Sequence, residues 1–200
     1  MVYGILIHSA ENSQKLFLSN FYTPEGNDAQ KKARQQAVMR RILDEHFFQI
    51  QCASDSSRPP VRSHGHLEEW SPRFQERRHS QQAADITEGI VRFPASPLFR
   101  VGKVAVWKQV ENIVFIVICD SLENLALANN FLILLINTVF ENLKSFGVSG
   151  GCLETELMHR PDELLAILHS LLPAGILTFS NLAHAKFSVS QAQELLSQKP

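Results

Sequence analysis

The side chains best equipped for chemistry lie far apart along these 200 residues. His64 and His66 form an HxH pair. Zinc needs three or four ligands, and two imidazoles by themselves make a poor site. The plainer reading is two solvated histidines. Cys52, Cys119 and Cys152 are widely spaced and form no CxxC motif. They read as free thiols of a reducing compartment, the cytosol, rather than as a disulfide framework or a zinc site. Ser149–Gly151 has no phosphate-loop pattern around it. Asp162 and Glu163 follow Pro161, where acids suit the positive end of a helix. No catalytic residue, metal ligand or cofactor is expected, and the chain is read as a non-enzyme.

Charge offers the next candidates. Lys31, Lys32, Arg34, Arg40 and Arg41 crowd eleven positions. Arg58, Arg62, Arg73, Arg77 and Arg78 follow further on. The formal net charge is nevertheless −1, so no nucleic acid is expected as a partner. Each basic cluster is either a solvated face or a contact for acidic protein or anionic headgroups. Phosphorylation of Ser80 in "RFQERRHS" would weaken such contact.

The elements that must position these residues follow from periodicity and breakers. Composition is ordinary for a globular protein, 44% hydrophobic and 20% charged. "MVYGILIH" lacks the cationic start of a signal peptide, and no lipidation signal is expected. Val2 to His8 reads as a strand buried on both faces, and Lys15 to Tyr22 as its hairpin partner. Asn27 or Asp28 is placed to cap a helix over 29–53, with Met39, Ile42, Leu43, Phe47 and Ile50 as its apolar stripe. Residues 54–85 are polar, rich in Arg and His, and are expected to form a mobile loop. Three strands are predicted within 86–120, with Val104 and Val106 on one face and Lys103 and Ala105 on the other. Asp120, with Glu123 three residues on, is expected to open a helix that ends at Gly147. Pro161 opens another helix, ended by Pro173 and Gly175, and 190–198 read as a terminal helix. The expected fold class is α+β, one domain over 1–200: a five-stranded antiparallel sheet with helices on both faces.

"NIVFIVICDSLENLALANNFLILLINTVFENL" has the composition of a membrane segment. A span needs about 17 to 25 apolar residues. Asp120 cuts this run, and Asn124, Asn129, Asn130 and Asn137 would each need a partner in hydrocarbon. It therefore reads as a strand followed by a helix. Glu123, Asn130, Asn137, Glu141 and Lys144 form a narrow polar stripe on that helix. Leu125, Leu132, Leu135, Ile136 and Val139 belong to more apolar surface than one sheet face needs. Either the domain wraps this helix or another chain covers part of it.

Three stretches carry a resemblance. "MVYGILIHSAENSQKLFLSNFY", the strand–Asp–helix run just quoted and "RPDELLAILHSLLPAGIL" resemble the small (sigma) subunits of heterotetrameric adaptor complexes. "MVxxxLIH", "DSLENLALA" and "LLPAGILTF" look most like the sigma subunits of the fifth such complex. The resemblance implies a longin-like fold and a place in a heterotetramer with large, medium (mu) and other subunits. The small subunit would dock on a large one through Leu125, Leu132, Leu135, Ile136 and Val139. It further implies clathrin-independent endosomal transport, a cytoplasmic location on late endosomes and lysosomes, and spatacsin and spastizin as companions. Lys15 falls where some sigma subunits carry a basic residue for acidic dileucine cargo signals. The alternative is a longin-like regulatory module for a small GTPase or a fusion protein, since fold alone does not decide function.

Overall fold

The computed structural model describes residues 1–11, 15–54, 87–144 and 153–178, with 183, 185–187, 190, 191 and 194 beyond them. Five strands form one antiparallel sheet: β1 (Val2–Ser9), β2 (Leu16–Phe21), β3 (Thr87–Phe93), β4 (Lys103–Val110) and β5 (Ile113–Asp120). Their order is β2-β1-β5-β4-β3, so the two earliest apolar runs end up beside the last. β1 is buried along its whole length, β4 and β5 along nearly all of theirs. Such strands need a helix layer on each face.

Helix α1 (Lys31–Ser54) supplies one layer. Asp28 prepares its start: Oδ1 accepts from Gln30 N–H at 2.8 Å, and its carbonyl accepts from Lys31 N–H at 3.1 Å. Val38, Met39 and Ile42 pack on Tyr3, Leu6, Ala105, Trp107, Ile116 and Ile118. Further along, the expected stripe and the observed one part company. His46 stacks edge-on to Trp107 at 6.0 Å, and Gln49 donates to the Glu88 carbonyl at 3.4 Å. Phe47 and Ile50, expected on the inner stripe, face outward. Trp107 is the reason. Its indole fills the space over Gly89, where a Cβ would lie 2.8 Å from the Trp107 Nε1. The ring then selects the helix face that carries His46 and Gln49.

Arg34, grouped by sequence with the solvated cations, is instead 1% exposed. Its guanidinium donates to both Asp28 oxygens, at 3.1 and 3.2 Å, and to the Leu98 carbonyl at 2.7 Å. The fork pins α1 to the segment before β4. That hydrogen bonding holds the Asp28 carboxyl below the usual carboxylate range.

The opposite face is covered by α2 (Leu125–Lys144), α3 (Leu153–His159) and α4 (Pro161–Leu171). Asp120 is not the cap of α2. It ends β5, paired with the Lys103 ammonium at 2.7 Å across the β4–β5 ladder. The helix starts four residues later, where Asn124 Oδ1 accepts from Leu127 N–H at 3.1 Å. α3 was not foreseen, although Glu154 and Glu156 in its first turn and His159 in its last suit a short helix. Val104 and Val106 do face away from Lys103 and Ala105, as the alternation predicts. The loop expected at 54–85 and the Gly147 stop lie outside the described residues. Ser190, Gln191 and Glu194, the described positions of the expected last helix, are helical.

His8 is buried in the sheet with Nδ1–H donating to the Ser9 carbonyl at 2.7 Å. Burial lowers its pKa, and burial lowers that of His46 as well. The folded state therefore binds these protons less readily than the unfolded chain does. Stability should fall as pH drops below 6.5, the ordinary imidazole value. Unfolding in urea at several pH values should show His8→Leu with a flatter acid limb than the parent. Leu135→Ala should cost about 2–5 kcal/mol in the same assay. Asn137 is buried with its Oδ1 unpartnered, so Asn137→Leu should be neutral or stabilising by about 1 kcal/mol.

Candidate protein-interaction sites

The helix expected to receive another chain is already covered. α2 is long and apolar enough to cross a membrane by length and composition. It instead packs on Val2, Ile5, Ile7, Val106, Phe115 and Val117 of the sheet. Leu157, Leu164, Ile167 and Leu168 of α3 and α4 join the same core. Leu132, Leu135 and Val139 are 0% exposed and Ile136 2%, with Leu125 half-buried beside them. Four of the five residues expected at the large-subunit interface are therefore interior. α3 and α4 supply the cover that the sequence reading assigned to another chain. Asn137, expected on the narrow polar stripe, is buried too, whereas Asn130 is exposed.

Lys15 sits immediately before β2, on the rim of the sheet. Its ammonium lies 2.8 Å from Glu154 Oε1 of α3 and 5.6 Å from the centre of the Phe17 ring. Asn112 Nδ2 donates to the other Glu154 oxygen at 3.3 Å and reaches Ser9 Oγ at 3.5 Å. The hydrogen bond from Lys15 holds the Glu154 carboxyl below the usual carboxylate range. The cluster joins β1, the β4–β5 turn and α3 at one corner. The cation expected for cargo is thus partly exposed and already neutralised by an internal carboxylate. Sequence spacing could not place Glu154 there, because the two residues are brought together only by the fold.

Chemistry finds little else to work with. Among the described residues no cluster of three His, Cys, Asp or Glu could hold a metal ion. His64 and His66 lie outside the described residues. A cleft of about 350 Å³ is lined by Glu25, Asp28, Ala29, Gln30, Arg34, Pro97 and Arg100. Its groups satisfy one another: Arg34 holds Asp28, and Glu25 accepts from Arg100 N–H at 2.7 Å. Burial pushes the Cys119 thiol up to about 12, so it is inert at neutral pH. Cys52 is exposed near the end of α1.

One surface went unrecognised in the sequence. Phe47, Phe48 and Ile50 are 59%, 61% and 49% exposed on the outer side of α1. Their spacing put Phe47 and Ile50 in an apolar stripe with Met39 and Ile42, and only Trp107 reveals that the stripe splits. Isolated exposed apolar residues are ordinary, but three within four positions are not.

Comparison with known proteins gives this geometry a family. Among curated proteins no sequence is similar enough to count as a relative. Among solved structures, a chain of a homology model of the full-length AP-3 complex in a stretched open conformation matches with a TM-score of 0.54 at 14% identity. The match covers 98% of this chain and 94% of that one. At so low an identity it speaks for the fold, which is that of a longin-like adaptor small subunit. The family model described as AP-5 complex subunit sigma-1 matches residues 1–193, and the chain belongs to that family.

Proposed function

We propose that the chain is a non-enzymatic small subunit that stabilises the core of its adaptor complex by docking on a large subunit. The observation that carries this reading is the family match across residues 1–193. The five-stranded sheet with helices on both faces agrees with it. The complex is a heterotetramer with a large, a medium (mu) and one further subunit. It works in clathrin-independent endosomal transport, on the cytoplasmic face of late endosomes and lysosomes. Spatacsin and spastizin accompany it. Membrane association is indirect, through the other subunits. One longin-like domain spans 1–200.

Lys15 remains the candidate contact for an acidic sorting signal, and Glu154 is then its internal competitor. A carboxylate of the signal would take the place of Glu154 at the Lys15 ammonium. The assembled complex should bind an acidic dileucine peptide about three- to tenfold more tightly with Glu154→Gln, and more weakly with Lys15→Gln, in a fluorescence titration. Unchanged affinity in both variants would remove Lys15 from cargo recognition.

Co-expression with the other subunits tests the main reading. Affinity purification of the tagged chain should recover a large subunit in equal amount. A monodisperse monomer that ignores the large subunit would contradict it, and nucleotide-dependent capture of a small GTPase would favour the regulatory-module alternative.

A further inference from the structure

The connection between β3 and β4, residues 94–102, opens with two prolines around a serine, Pro94-Ala95-Ser96-Pro97. Three hydroxyl residues of the chain stand directly before a proline: Thr23, Ser71 and Ser96. Ser96 alone has a second proline two positions earlier. That pairing is the pattern that proline-directed kinases read, and its basis is conformational. A kinase cleft takes its acceptor in an extended chain, and a residue before proline is held in the extended region. Each pyrrolidine ring also fixes its own φ at a value that suits an extended polyproline turn.

The fold presents this stretch outward. Pro94, Ala95, Ser96 and Pro97 are all exposed. Behind them the loop is anchored. Phe99 is buried against Tyr3 and Phe93, at ring separations of 5.9 and 5.4 Å. Arg34 Nε donates to the Leu98 carbonyl. The tip itself is closed by Ser96 N–H donating to the Phe99 carbonyl at 2.8 Å and Phe99 N–H donating to the Ser96 carbonyl at 3.0 Å. Phe99 N–H reaches Ser96 Oγ as well, at 3.3 Å. Arg100 follows the turn, exposed, on the rim of the cleft that Pro97 also lines. A phosphate on Ser96 would thus meet a backbone donor and a guanidinium, the two groups that hold phosphate well. Thr23 is less accessible: it is half-buried, with Oγ1 accepting from Gly26 N–H at 3.2 Å.

We propose that Ser96 is a phosphorylation site for a proline-directed serine/threonine kinase, and that the Arg100 guanidinium holds the phosphate. In the transfer, Ser96 Oγ attacks the γ-phosphorus of Mg-ATP. The Oγ–P bond forms, and the bond from that phosphorus to the oxygen leaving on ADP breaks. The hydroxyl proton passes to a base of the kinase. The loop gains a charge of about −2, two residues from the Leu98 carbonyl that pins α1. The proposal goes beyond the subunit reading and does not depend on it.

The full-length chain, incubated with a purified proline-directed kinase and Mg-ATP and mapped by mass spectrometry, tests the site. Ser96 should be modified at least about tenfold faster than Thr23 or Ser71. Pro94→Ala should slow modification of Ser96 by about fivefold or more, and Ser96→Ala should abolish it in that peptide. Both positions are exposed, so the urea midpoints of these variants should match that of the parent, which separates lost recognition from lost fold. Phosphorus-31 NMR tests the role of Arg100. The second ionisation of phosphoserine ordinarily lies at about 6. A neighbouring cation favours the dianion, so phosphorylated Ser96 should titrate lower, and Arg100→Gln should bring the value back up. Preferred modification of Thr23 or Ser71, or indifference to Pro94→Ala, would overturn the site. A titration unchanged by Arg100→Gln would overturn the pairing.

Discussion

Burial of the central strands on both faces is the constraint from which the rest follows. β1, β5 and most of β4 leave almost no polar edge or face for water. Each side therefore needs an apolar lid, and among the described residues two long helices provide them. α1 takes one side through a narrow contact, Val38, Met39 and Ile42, supplemented by the Arg34 fork and the His46–Trp107 contact. α2 takes the other and is itself enclosed by α3 and α4. The unequal depth of the two lids decides which surface remains for partners.

That inequality also explains the membrane-like composition of α2. A helix pressed between a sheet and two further helices is apolar nearly all round. Thr138 shows how its polar groups are accommodated: the hydroxyl donates back to the Leu134 carbonyl at 2.7 Å. Asn142 does the same toward Thr138 at 2.7 Å. Asn137 finds no such partner for its Oδ1, and remains a polar group retained inside the core.

The strands were legible in the sequence because two-sided burial writes itself as continuous apolar runs, and the alternation in β4 told its two faces apart. The α+β architecture and the helix layers followed from the order of elements. Three things were not legible, each for a physical reason. The cap of α2 was misplaced because Asp120 has a competing partner, Lys103, that only the β4–β5 register brings beside it. The inner face of α1 was misread because an aromatic ring on another strand, over Gly89, chose His46 and Gln49 over Phe47 and Ile50. The Lys15–Glu154 pair joins positions far apart in the chain, and α3, which carries Glu154, was not foreseen. Each miss is a tertiary contact overriding a local pattern. The adaptor resemblance, by contrast, sat in quoted stretches and spans the same chain that the AP-5 sigma-1 family model matches.

The central claim is that α2 is the internal lid of the sheet, so that assembly engages other surface. Hydrogen–deuterium exchange of the isolated full-length chain tests it most directly. The account predicts that amides in 128–140 exchange as slowly as those of β5, through global unfolding alone. Rapid exchange of α2 in the free chain, with protection appearing only on assembly, would contradict it.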